Sequence, residues 1–159
     1  MAESNAAESG VRVLGLGNEL LADDAFGILA ARAVRRRFGR AAQVICSSAA
    51  GFHLIDHVLN VSRLLVLDTL ASPGAVPGTI HVFRHEPECL PASGSTHFMG
   101  LFDVLAVAKR LGLPVPGEVV IIGVEAADCT TVGGPMHPDV RAAIAKVAEI
   151  AGPFLGGTG

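Results

Sequence analysis

Apolar and polar positions divide this chain into short, turn-bounded blocks of two kinds. Five are strand-like, at 11–15, 42–46, 63–68, 79–84 and 118–124, each rich in Val, Ile or Leu. The first, third and fifth are nearly continuous apolar runs, the pattern of parallel strands covered on both faces. Helical blocks alternate with them. Phe26, Leu29, Ala30, Ala33, Val34 and Phe38 keep the i, i+3, i+4, i+7 spacing of an amphipathic helix. Arg35, Arg36 and Arg37 before Gly39 suit its C-terminal end, where basic side chains complement the helix dipole. Further helices are predicted over 51–60 and 99–111, and from His137-Pro138 to about 151, with Pro at the first helical position.

The predicted order is βαβαββαβα. The link from the third strand to the fourth, Thr69 to Gly78, is too short for a right-handed crossover, which needs about a dozen residues. The fourth strand is therefore expected to run antiparallel at or near an edge. The expected fold is a three-layer αβα sandwich on a mixed, mostly parallel five-stranded sheet. Residues 11–155 form one domain, and the acidic, small-residue segment 1–10 is read as a disordered tail.

Composition narrows the function classes. At 159 residues the chain can bury one core without disulfide or metal staples. No apolar run approaches the roughly 18 residues that span a bilayer, and the N-terminus lacks a secretory pattern. Cys46, Cys89 and Cys129 are odd in number and widely spaced, so free thiols in a reducing compartment are expected. Net charge is −3, and Tyr and Trp are absent. With the one basic cluster explained by a helix end, nucleic acid is not an expected partner. These features describe a soluble cytoplasmic protein.

Candidate chemistry gathers at strand ends. Gly15-Leu-Gly17-Asn18 resembles a dinucleotide-binding turn, but the third glycine of that motif would fall at Leu20. Asp23 and Asp24 would also repel a pyrophosphate from the helix start. One of these acids suffices as an N-cap, and the other is left for a site. Asp68 closes the third apolar run, where carboxylates of open α/β sheets point into the crevice. His97 closes the polar loop Gly94-Ser-Thr-His97 ahead of a helix. Two carboxylates and an imidazole on one sheet edge would make a hard, oxygen-rich metal site. A rival is His53-Leu-Ile-Asp56-His57, which echoes the H-x-x-E-H zinc signature with Asp in place of Glu. No G-x-S-x-G elbow or catalytic-thiol context is present.

Together these residues resemble a known family. The run Gly15-Leu-Gly17-Asn18-x-Leu-x-x-Asp23-Asp24-x-x-Gly27, then Asp68, Pro77-Gly78-Thr79, and His97-x-x-Gly100-Leu101-x-Asp103-Val104-Leu105 are similar to the nickel–iron hydrogenase maturation endopeptidases. Gly123-Val124 and Pro138 fit as well, so the similarity runs from about residue 11 to 150. It implies an enzyme that trims the C-terminal extension of a hydrogenase large-subunit precursor after nickel insertion. It also implies that Asp24, Asp68 and His97 are the metal ligands, with nickel supplied by the precursor, and leaves Asp23 as the cap. A monomer is expected. The same trio would serve a non-catalytic chaperone that checks the precursor for nickel. Three positions depart from the family pattern. Cys46-Ser-Ser-Ala-Ala-Gly51 replaces an Asp-Gly-Gly-Thr-like recognition turn, Glu125 stands where Pro is common, and His137 replaces a helix-capping Ser.

Overall fold

The structure, a computed structural model, describes residues 8–85 and 99–156. His97 and Cys89 lie outside the described residues, as does most of the segment expected to form a tail.

The elements are β1 (Glu8–Leu16), α1 (Phe26–Phe38), β2 (Gln43–Ser47), α2 (Ile55–Val58), β3 (Val61–Leu70), β4 (Ile80–His85), α3 (Met99–Arg110), β5 (Glu118–Glu125) and α4 (Pro138–Ala151). The sheet order is β2-β1-β3-β5-β4. The first four strands run parallel, and β4 pairs antiparallel with β5 at the edge, as the short link predicts. β1 starts at Glu8, three residues before the expected strand, because Glu8 pairs with Val61 across an irregularity in the β1–β3 ladder.

Alternation along the central strands sends side chains to two cores. Val13, Leu65, Leu67, Val120 and Ile122 pack with Phe26, Ala30 and Val34 of α1 and Val140 and Val147 of α4. Leu14, Leu64, Val66, Val119 and Ile121 pack with Val58 of α2 and Leu101, Val104 and Leu105 of α3. The expected three-layer sandwich is the observed architecture.

Two helix expectations need correction. The segment 51–60 is not one helix: a 3-10 turn over Gly51–Leu54 leads into the single turn of α2. Leu59 is already extended and Asn60 takes φ +59°, which turns the chain into β3. α1 starts at Phe26 with Ala25 in the capping position and no side-chain cap, so neither Asp23 nor Asp24 is its N-cap. α4 follows the expectation. His137 accepts the backbone N–H of Asp139 at 3.2 Å, and Pro138 occupies the first turn.

Candidate active site

The glycines of the opening motif serve close packing. A side chain at Gly27 would overlap the carbonyl oxygens of Leu16 and Leu67, so α1 lies directly over the junction of β1 and β3. Gly17, at φ +150°, has the backbone carbonyl of Asp24 where its own Cβ would stand. Glycine is required here because another backbone passes through the space of a side chain. The Gly-x-Gly pair thus brings Asp24 against the end of the sheet.

The intervening turn is tied internally. The Asn18 N–H donates to the Asp24 carbonyl, the Leu21 N–H to the Asn18 carbonyl and the Asp24 N–H to the Leu21 carbonyl. Ala22 takes φ +35°, a conformation costly for a residue with a Cβ, at the head of the 3-10 turn Ala22–Ala25.

Asp23 is turned into the interior. It is fully buried, and its two oxygens accept the backbone N–H groups of Ala127 (2.7 Å), Asp128 (2.9 Å) and His137 (2.6 Å). These donors belong to the β5–α4 loop, so Asp23 staples that loop to the β1–α1 turn. The acid left as a cap is a structural pin.

Asp24 and Asp68 do meet. Both line a cleft of about 480 Å³ whose walls include Leu16, Leu21, Leu54, Leu101 and the loop Ser48–Gly51. Asp68 Oδ1 accepts the backbone N–H of Thr69 at 2.7 Å, and Asp24 Oδ1 accepts the Thr69 hydroxyl at 3.3 Å. Burial pushes Asp68 up to about 7, against the pull of the Thr69 N–H and with help from the charge of Asp24. Asp24 is also raised by burial, opposed by the Thr69 hydroxyl and the Asn18 backbone. Two carboxylates crowded into a partly apolar cleft disfavour double ionisation unless a cation joins them.

α3 contributes Gly100 and Leu101 to the same cleft. His97 precedes that helix but lies outside the described residues, so the structure brings together two members of the expected trio.

The rival zinc constellation is not assembled. His53 is exposed on the 3-10 turn, whereas His57 is half-buried with Nε2 3.1 Å from Ser47 Oγ. Among the described residues, no group of three or more His, Cys, Asp or Glu side chains is arranged to hold a metal. Cys129, half-buried with Sγ 3.7 Å from Thr69 Oγ1, is not an activated thiol either. Burial pushes it up, the Thr69 contact opposes this, and the charges of Asp24, Asp23 and Asp68 raise it further. Reactive cysteines have the opposite surroundings.

The departing positions have structural roles. Ser47 Oγ accepts the Ala49 N–H at 3.0 Å, shaping the wall formed by the altered turn, and Gly51 takes φ +57°. Glu125, only 3% exposed, accepts the N–H and hydroxyl of Ser72 and lies 3.2 Å from His81 Nε2. It anchors the β3–β4 link to the sheet edge. Thr69 is the site residue that inspection of the sequence missed, and its position directly after Asp68 was the only signal.

Comparison with known proteins shows the family and the fold. Residues 28–153 match the family model described as hydrogenase maturation protease. The chain is 33% identical over 150 residues to the hydrogenase expression/formation protein HupM of Azotobacter chroococcum, covering 91% of this chain and 71% of that protein. It is 30% identical over 118 residues to the hydrogenase 2 maturation protease of Escherichia coli, covering 72% and 71%. The solved structure of the hydrogenase maturating endopeptidase HybD from E. coli superposes with a TM-score of 0.75 at 27% identity, with 92% of each chain covered. HybD from Thermococcus kodakarensis gives 0.68 at 30% identity, covering 92% of this chain and 99% of that one. An α/β sandwich that sets a β3 carboxylate and a β1–α1 turn carboxylate in one cleft, matched along most of its length, is a peptidase belonging to the hydrogenase maturation protease family.

Proposed function

We propose that the protein removes the C-terminal extension of a nickel–iron hydrogenase large-subunit precursor, and that it recognises precursor-bound nickel through Asp24, Asp68 and His97. The observation that carries this is the convergence of Asp24 and Asp68 in one cleft, each disfavoured as an isolated anion. Two carboxylates and an imidazole suit a borderline divalent ion and leave coordination positions for groups of the precursor. Nickel is thus part of the substrate. Its role is to fix the precursor so that one peptide bond lies beside the two carboxylates, an effect of positioning. Water is the attacking group, because among the described residues neither Cys46 nor Cys129 lines the cleft that holds the two carboxylates. The Cys46 thiol contacts the Ile28 carbonyl of α1, and Cys129 lies among carboxylates. The reaction belongs to the cytoplasm, with the protein acting as a monomer.

Intact-mass analysis of large-subunit precursors with and without nickel tests this directly. The expected result is loss of a C-terminal peptide from the nickel-loaded form alone, abolished by Asp24→Ala, Asp68→Ala or His97→Ala. A stable complex with the loaded precursor and no change of mass would replace the protease by a nickel-checking chaperone. Equal cleavage of both forms would remove nickel from the recognition step.

A further inference from the structure

Thr69 touches both carboxylates of the cleft. It is 7% exposed and paired with Val124 of β5 in the parallel ladder, so its backbone is fixed by the sheet. Its N–H donates to Asp68 Oδ1 at 2.7 Å. Its hydroxyl donates to Asp24 Oδ1 at 3.3 Å, and the Cys129 thiol stands 3.7 Å from the same Oγ1. A hydroxyl has one proton and two lone pairs, so giving the proton to Asp24 leaves a lone pair for the thiol proton. Asp24 arrives from the β1–α1 turn and Asp68 from β3. Carboxylates from elements so far apart in sequence both bond to this one residue at the site.

We propose that Thr69 is a positioning residue that sets the orientation of Asp24 relative to Asp68, so that both carboxylates face a single divalent cation. The inference rests on the processing function proposed above. The backbone arm to Asp68 survives any side-chain change, so the hydroxyl arm to Asp24 is the part a substitution can remove. β-Branching matters less, because the sheet already fixes the backbone and the hydroxyl makes the contact.

A purely structural Thr69 and a positioning Thr69 predict opposite orders. If it only fills the core, Thr69→Val keeps the shape and Thr69→Ser loses a methyl group, so Val should perform at least as well as Ser. If it orients Asp24, Thr69→Ser should stay near wild type and Thr69→Val should fail. The experiment is titration calorimetry of the purified protein with Ni²⁺, taking the heat lost in Asp68→Asn as the share of this site. Steady-state cleavage of the nickel-loaded precursor is measured in parallel. Thr69→Val is expected to weaken Ni²⁺ binding by about tenfold or more, the usual effect of removing a partner that orients a ligand. KM should rise, and Thr69→Ser should restore both values to within about twofold of wild type on the same scale. Far-ultraviolet circular dichroism should not change in either variant.

Wild-type Ni²⁺ affinity in Thr69→Val, or equal loss in Thr69→Ser, overturns the inference. So does a wild-type protein in which Asp68→Asn removes no heat, since the carboxylates would then not be set for a cation. A Thr69-dependent Ni²⁺ site in a protein that cleaves no precursor would instead overturn the processing function and leave the positioning role standing.

Discussion

The backbone N–H of His137 donates to Asp23 Oδ1 at 2.6 Å, joining residues 114 apart in sequence. The other Asp23 oxygen holds the N–H groups of Ala127 and Asp128. The bond therefore belongs to a three-donor staple that closes the β5–α4 loop over the turn bearing Asp24. The loop reciprocates through the backbone. The Asp23 N–H donates to the Asp128 carbonyl, the Gly133 N–H to the Leu20 carbonyl, and Leu21 bridges Val132. The two neighbouring acids thus divide the work, Asp23 fixing the turn and Asp24 facing the cleft.

Asp23→Ala should accordingly destabilise far more than the loss of an N-cap, which costs about 0.5–2 kcal/mol. Three partly buried N–H groups would lose an acceptor, and the expected loss is about 3 kcal/mol. Asp23→Asn, which retains one carbonyl oxygen, should lose roughly half as much. Urea denaturation monitored by circular dichroism measures both. A loss in the N-cap range for Asp23→Ala would show that water or a shifted loop replaces the carboxylate.

Gly27→Ala tests the packing that places the site. The added methyl group would run into the Leu16 and Leu67 carbonyl oxygens, both of them backbone atoms of central strands. Neither can rotate away, so α1 must lift from the sheet. Overpacking of this kind costs about 1–3 kcal/mol, and the backbone obstruction here favours the upper end. Because Asp24 sits just ahead of α1, cleavage should also fall in the protein that remains folded. Gly74→Ala is a suitable contrast: a methyl there meets nothing, and only its φ of +73° opposes the change.

Periodicity alone makes the sandwich legible in the sequence. The apolar runs of β1, β3 and β5 announced strands covered on both faces, and the short stretch from Thr69 to Gly78 announced the antiparallel edge. Asp68 was visible for a related reason, since a polar residue ending an apolar strand has few structural uses, whereas only the family resemblance separated Asp24 from Asp23. Asp23 was misread because its partners are backbone N–H groups more than a hundred residues away, and any residue type supplies those. The helix expected over 51–60 failed where local conformation overrode hydrophobic spacing. Gly51 and Asn60 both adopt positive φ, which confines the α-helical part to one turn. Thr69 belongs to no motif, and its contact with Asp24 arises only once the β1–α1 turn is folded back onto β3.

His53 provides a sharp test against the zinc reading of the His53–His57 pair. It is exposed on a 3-10 turn, while His57 Nε2 is turned toward Ser47 Oγ. His53→Ala should leave precursor cleavage, stability and metal content unchanged. Stoichiometric zinc in the purified protein by elemental analysis, lost together with activity in His53→Ala, would move the catalytic centre to that segment.

The raised pKa of Asp68 fixes the sign of a pH effect. Below its ordinary value of 3.8 the group is protonated in both folded and unfolded chains and contributes no difference. Between there and about 7 the folded protein keeps a proton that the unfolded chain has released. Stability must therefore fall as pH rises through this window, and the Asp68 contribution levels off above it. Asp68→Asn, which cannot ionise, should remove that share of the slope and gain most over wild type above about pH 7. The proposed nickel recognition would have the opposite dependence, because the carboxylate would be the ligand. Ni²⁺ affinity should climb toward neutral pH, with proton release on binding below it. Asp24→Asn removes the neighbouring charge and should lower the Asp68 midpoint, a shift readable from its carboxyl ¹³C resonance. A midpoint for Asp68 near that of an ordinary carboxyl group, unmoved by Asp24→Asn, would mean that the two side chains do not share a desolvated cleft.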